Sequence, residues 1–125
     1  MLNRLMLILM SLVITSSIYA RTAIDCTMVQ EMRPDLVKAC YDQTSDWLND
    51  NYQLLLNKSK YSRSQINDLK TTQRVWLQSL DAQCKRPESS VSSAEVVTEL
   101  KCAVVMMRKR AEALEKMVSD AENLK

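Results

Sequence analysis

The chain has 125 residues, 17 of them basic and 15 acidic, and it contains neither histidine nor glycine. That length holds one domain at most. Without glycine there is no phosphate-cradling loop or dinucleotide fingerprint, and without histidine the usual general base and the usual zinc ligand are missing.

Residues 1–20 read as a secretory signal peptide. Arg4 gives a cationic start, Leu5 to Ile14 is almost wholly apolar, and Thr15 to Ala20 is small and polar. The apolar run is too short for a comfortable membrane span, so no span is expected once the leader is removed. The expected mature domain is residues 21–125. Arg4 is the only basic residue lost with the leader, so the mature chain stays close to neutral. Arg108-Lys109-Arg110 is followed at once by Glu112 and Glu115, which is the pattern of a solvated helix face, so no nucleic acid is expected as a partner.

Residues 21–33 have no clear period; a short helical turn around Met28 to Met32 is the one element they could add. Pro34 suits the first turn of a helix, and Asp35 adds negative charge near its N-terminus. Val37, Cys40, Tyr41, Thr44, Trp47, Leu48, Asn51, Tyr52 and Leu55 then trace one helical face. The helix should fade at Asn57 to Tyr61, where Asn and Ser favour turns. Ser62-Arg63-Ser64-Gln65 resembles a capping box and opens a central helix to about Cys84. Ile66, Leu69, Gln73, Trp76, Leu77 and Leu80 form its inner stripe, and Leu69 to Cys84 reads as the stretch around which the chain is organised. Trp76 is expected in the core, with its indole N–H bonded to a polar neighbour.

Lys85 to Val91 is the most loop-like segment, with Pro87 stopping the helix. Ser92-Ser93-Ala94-Glu95 is a second capping-box signature. Beyond it Val97, Leu100, Val104, Met107, Ala111, Leu114, Val118 and Ala121 keep steps of three and four. The expected last helix, Ser93 to Ala121, outreaches the central one. The stripe at Leu114, Val118 and Ala121 therefore needs cover, from the first helix or from a second copy, and the chain is expected to be a monomer or a weak homodimer. Met106, Met107 and Met117 read as core filler.

The fold class is thus all-α: a small antiparallel three-helix bundle with room for a short extra N-terminal helix. Cys26, Cys40, Cys84 and Cys102 all fall in the exported part and read as two disulfides. Four cysteines allow three pairings. Cys26–Cys40 and Cys84–Cys102 are preferred because each joins neighbouring segments, closing a loop worth about 3 kcal/mol in the chain-entropy model. No close Cys pair suggests zinc, so no metal or cofactor is expected. A thin helical domain offers little concave space for carboxylate catalysis, so no enzyme is expected either.

Several fragments occur together: Asp25-Cys26, Glu31-Met32, Cys40-Tyr41, Asp46-x-Leu48-Asn49-x-x-Tyr52, Gln73-Arg74-x-Trp76-Leu77, Asp81-Ala82-x-Cys84, Cys102 and Arg110-Ala111-x-x-Leu114. In this order they resemble the LprI-like lysozyme-inhibitor domain family, small exported cysteine-stapled helical proteins of bacteria. Two places depart from that family: Leu80 stands before Asp81 where an Arg is usual, and residues 85–91 lack the customary glycine. The resemblance implies a periplasmic or secreted inhibitor or immunity protein whose partner is a lysozyme-like peptidoglycan hydrolase. Such enzymes cut with two carboxyl groups in a cleft, and a blocker must present donors or a cation there. Lys85, Arg86, Ser89 and Ser90 have that chemistry. Asp46, Asn49, Tyr52, Gln73, Trp76, Asp81 and Arg110 are read as a hydrogen-bonded frame between helices, with a binding surface as the alternative; Arg110 would pair with Asp46 or Asp81. The competing functional class is a non-catalytic periplasmic interaction or envelope-structural module with no enzyme target.

Overall fold

A computed structural model describes residues 23–57, 59–84 and 92–123. It contains a 3-10 turn at Val29–Glu31 and three helices: α1 (Pro34–Asn57), α2 (Arg63–Cys84) and α3 (Ser93–Glu122). At 1.5 Å per residue they are about 36, 33 and 45 Å long. The expected three-helix bundle is the observed fold, and the described residues contain no strand.

Both predicted capping boxes close. The Ser62 backbone N–H donates to Gln65 Oε1 at 2.8 Å, and the Gln65 N–H returns to Ser62 Oγ at 3.2 Å. Ser92 and Glu95 make the same reciprocal pair at the start of α3. The C-terminal ends show how a chain without glycine stops a helix. Among the described residues none has a positive φ, so left-handed caps are not used. Ser59 Oγ instead donates to the Leu55 carbonyl behind α1. Behind α3, the Asn123 backbone N–H and side-chain amide both donate to the Ser119 carbonyl.

The core is a seam between α1 and α3. Val37, Cys40, Thr44, Leu48, Asn51 and Leu55 are buried on α1, and Ala103, Val104, Met107, Ala111, Leu114 and Ala121 on α3. The two helices run parallel. Lys101, near the start of α3, donates to the Gln30 carbonyl just ahead of α1 at 2.7 Å. At the far end, Leu54 and Leu55 share a cleft with Val118 and Ala121. The end of α1 therefore covers the tail stripe that a second copy could otherwise have covered. α2 runs opposite to both, bringing Leu80 and Cys84 beside Tyr41, Leu100 and Ala103.

The chain is thus organised around α1 and α3, not around Leu69 to Cys84 as the sequence reading has it. α2 touches α3 over a much shorter seam, and only Leu69, Gln73 and Cys84 are buried along it. Leu77, expected on the inner stripe, is 48% exposed. Periodicity identifies an apolar face, but not how closely a neighbour approaches it.

Two disulfides fasten the periphery, Cys26–Cys40 and Cys84–Cys102, and no described cysteine is free. The first holds residues 23–33 against α1. There Gln43 clamps Ile24 as a strand neighbour would: the Ile24 N–H donates to Gln43 Oε1 at 2.9 Å, and Gln43 Nε2 donates to the Ile24 carbonyl at 2.7 Å. Val29 fills the space beneath and is 1% exposed. The second disulfide joins the end of α2 to the third turn of α3.

Candidate functional site

Because α1 and α2 both lean on α3 rather than on each other, a groove of about 440 Å³ opens between them. Tyr41, Ser45, Leu48, Asn49 and Tyr52 form the α1 wall. Lys70, Gln73, Arg74, Trp76, Leu77 and Leu80 form the α2 wall, and Met107 of α3 lies at the base. The α1 residues recur at steps of three and four, so one face of that helix supplies the wall. On α2 the polar flank of the inner stripe does the same.

The centre of the groove is held from behind. Arg110 Nε donates to Gln73 Oε1 at 2.9 Å, across 37 residues of sequence. Gln73 is 6% exposed. An arginine side chain can only donate, so the amide oxygen of Gln73 must face Arg110 and its nitrogen must face the other way. Arg110 Nη2 is buried without a hydrogen-bond partner among the described residues. Burial lowers the pKa of this guanidinium from its ordinary value, and a weaker electrostatic contribution from Tyr52 works in the opposite direction.

Of the family-motif residues, Asn49, Tyr52, Gln73 and Trp76 line the groove, and Arg110 reaches it through Gln73. Asp81 lines the adjoining cleft with Tyr41, Leu80 and Cys84. Asp46 is exposed on α1. The expected pairing of Arg110 with Asp46 or Asp81 is not observed; a neutral amide takes the place of the carboxylate. Trp76 is half-buried in the groove wall rather than enclosed, and its indole N–H has no acceptor among the described residues. Lys85, Arg86, Ser89 and Ser90, the residues proposed from sequence to meet a partner, lie outside the described residues.

Tyr41, Ser45, Lys70 and Arg74 were not picked out as site residues from the sequence. Lys70 and Arg74 carry a signal that could have found them: they are four apart on α2, flanking Gln73. Among the described residues no group of three or more His, Cys, Asp or Glu is placed to hold a metal. None of the described helices is long and apolar enough to cross a membrane.

A family model described as lysozyme inhibitor LprI matches residues 25–114. The matched segment runs from the clamped N-terminal stretch through all four cysteines to the buried Leu114, and the chain belongs to this family. No curated protein and no solved structure matches the chain. Family membership together with the disulfides indicates an extracytoplasmic protein with a protein partner such as a lysozyme.

Proposed function

We propose that this member of the LprI lysozyme-inhibitor family is exported to the periplasm by a cleaved leader, residues 1–20. There it blocks a lysozyme-like peptidoglycan glycosidase by filling its active-site cleft, as an inhibitor or an immunity protein. The observation that carries this reading is the family match over residues 25–114. Inhibition of this kind needs no catalytic group on the inhibitor. It needs cations or donors held where the carboxyl pair of the enzyme can meet them. Lys85, Arg86, Ser89 and Ser90 have the required chemistry. The chain enters their segment from Cys84 and leaves it at the N-cap of α3, and the Cys84–Cys102 disulfide fixes those two helices against each other. A preorganised support of that kind reduces the ordering cost of binding.

A lysis assay tests it. The secreted chain is mixed with lysozymes of several classes acting on cell-wall suspensions. Stoichiometric protection, lost in Lys85→Glu/Arg86→Glu with unchanged melting, is the expected result. Failure to protect against any class would reject inhibition in favour of a periplasmic interaction or envelope-structural module. The α1–α2 groove, which inhibition through residues 85–90 leaves unused, favours that second reading.

A further inference from the structure

The groove between α1 and α2 presents a chemistry independent of residues 85–90. Gln73 is 6% exposed and its Oε1 is taken by Arg110. Its Nε2 has no partner among the described residues. A buried side chain is thereby fixed as a donor in a groove wall. Lys70 and Arg74 line the same wall, three residues before Gln73 and one after it. Among the described residues no Asp or Glu lines the groove. One further turn along α2, Trp76 and the 48%-exposed Leu77 offer apolar surface.

We propose that this groove binds an acidic peptide segment of a partner protein. One carboxylate lies on Lys70, Gln73 and Arg74, and a neighbouring apolar side chain lies on Trp76 and Leu77. Charge complementarity selects the occupant: two cations and a fixed amide donor within about one turn suit a carboxylate and disfavour a cation. Size limits it. From Lys70 to Leu80 the helix rises about 15 Å, the length of four or five residues of extended chain. A groove of about 440 Å³ takes a few side chains, not a whole helix with a diameter of about 10 Å. On the opposite wall, Ser45 and Asn49 can bond the peptide backbone.

The test uses the secreted chain with both disulfides formed, and two blocked tetrapeptides, Glu-Leu-Glu-Leu and Gln-Leu-Gln-Leu, followed by NMR. The acidic peptide should bind saturably and shift the Gln73 side-chain amide and Trp76 indole signals. Lys70→Glu/Arg74→Glu, at exposed positions, should weaken it about tenfold or more while leaving the melting temperature in place. The proposal is overturned if the glutamine peptide binds equally, if no binding appears at about millimolar peptide, or if charge reversal has no effect. Self-association abolished by that reversal would also overturn it, by making a second copy the occupant. The lysis assay is read in parallel on the same variants. A parent chain that binds the acidic peptide but protects against no lysozyme class rejects only the inhibitor reading, and one that protects but does not bind the peptide rejects only the groove.

Discussion

The α1–α3 seam and the α2 flank are built from the same helical period and differ in how they are closed. Along the seam, Val37, Leu55, Val104 and Leu114 are fully buried, and burial extends to Ala121 near the end of α3. Along α2, a buried glutamine sits at the centre of the stripe, Trp76 is half-covered, and Val75 and Leu77 are exposed. What the flank lacks in apolar contact is replaced by two specific links: the Cys84–Cys102 disulfide at one end and the Gln73–Arg110 hydrogen bond in the middle. Attached in this way, α2 stands off from α1 and leaves the groove open between them.

The largest effect should come from cutting the seam. Leu114→Ala or Leu55→Ala, each at a position with 0% exposure, should cost about 2–5 kcal/mol in thermal or urea melts. Leu77→Ala should stay within about 0.5 kcal/mol. Comparable losses from both would show that α2 is packed as tightly as its neighbours and would end the distinction.

Removing the Cys84–Cys102 bridge by paired Ser substitution should cost about 3 kcal/mol, the chain-entropy expectation for a closure of this size. Its separation is 18 residues. Hydrogen exchange locates the loss: amides in the last turns of α2 should exchange faster, with those at the centre of α1 keeping their protection relative to the global stability. Uniform acceleration across all three helices would mean that α2 is not a separable unit.

Much of this arrangement was legible in the sequence. Both capping boxes, the three helices, the local disulfide pairing and the need to cover Leu114, Val118 and Ala121 follow from short-range rules that tertiary contacts did not override. The relative standing of the helices was not legible. Trp76 and Leu77 lie on the apolar side of α2 by periodicity, but only the distance to α1 decides whether they are enclosed. The partner of Arg110 escaped for a different reason. Charge alone favours a carboxylate, while the fold brings up Gln73, whose amide meets the geometry without neutralising the guanidinium. The Gln43 clamp on Ile24 uses backbone groups, and no residue pattern announces it.

That central link gives the next prediction. Gln73→Leu removes the acceptor of Arg110 Nε and leaves a second unpaired nitrogen beside the Nη2 that already lacks a partner. It should cost about 1–3 kcal/mol. Gln73→Leu/Arg110→Met should recover most of the loss, since replacing both polar partners by apolar groups of similar volume is far milder than orphaning one. A double variant no better than the single would show that Arg110 is held by something other than Gln73.

The smallest effect belongs to the stapled N-terminal segment and separates it from the seam beneath it. The Asp25 carboxylate accepts from the Thr27 backbone N–H at 3.0 Å and from Thr27 Oγ1 at 2.7 Å. These bonds, first the backbone one and then the hydroxyl, lower its pKa below the ordinary 3.8, while the contribution of Arg108 is the weakest of the causes. A depressed carboxylate pKa stabilises the folded chain above the unfolded-state value, and that stabilisation is lost as pH falls through the lower, folded value. The loss therefore lies on the acid side of about pH 4. Asp25 is fully exposed, so the bulk melting temperature should hardly register it. The Thr27 amide should register it directly: its NMR shift should titrate with the Asp25 carboxyl at a midpoint below 3.8, and Asp25→Ala should abolish that titration. The same substitution should leave exchange protection at Val104 and Leu114 unchanged. If protection along the seam fell together with the Thr27 signal, the N-terminal segment would be part of the core and not a separately fastened strap.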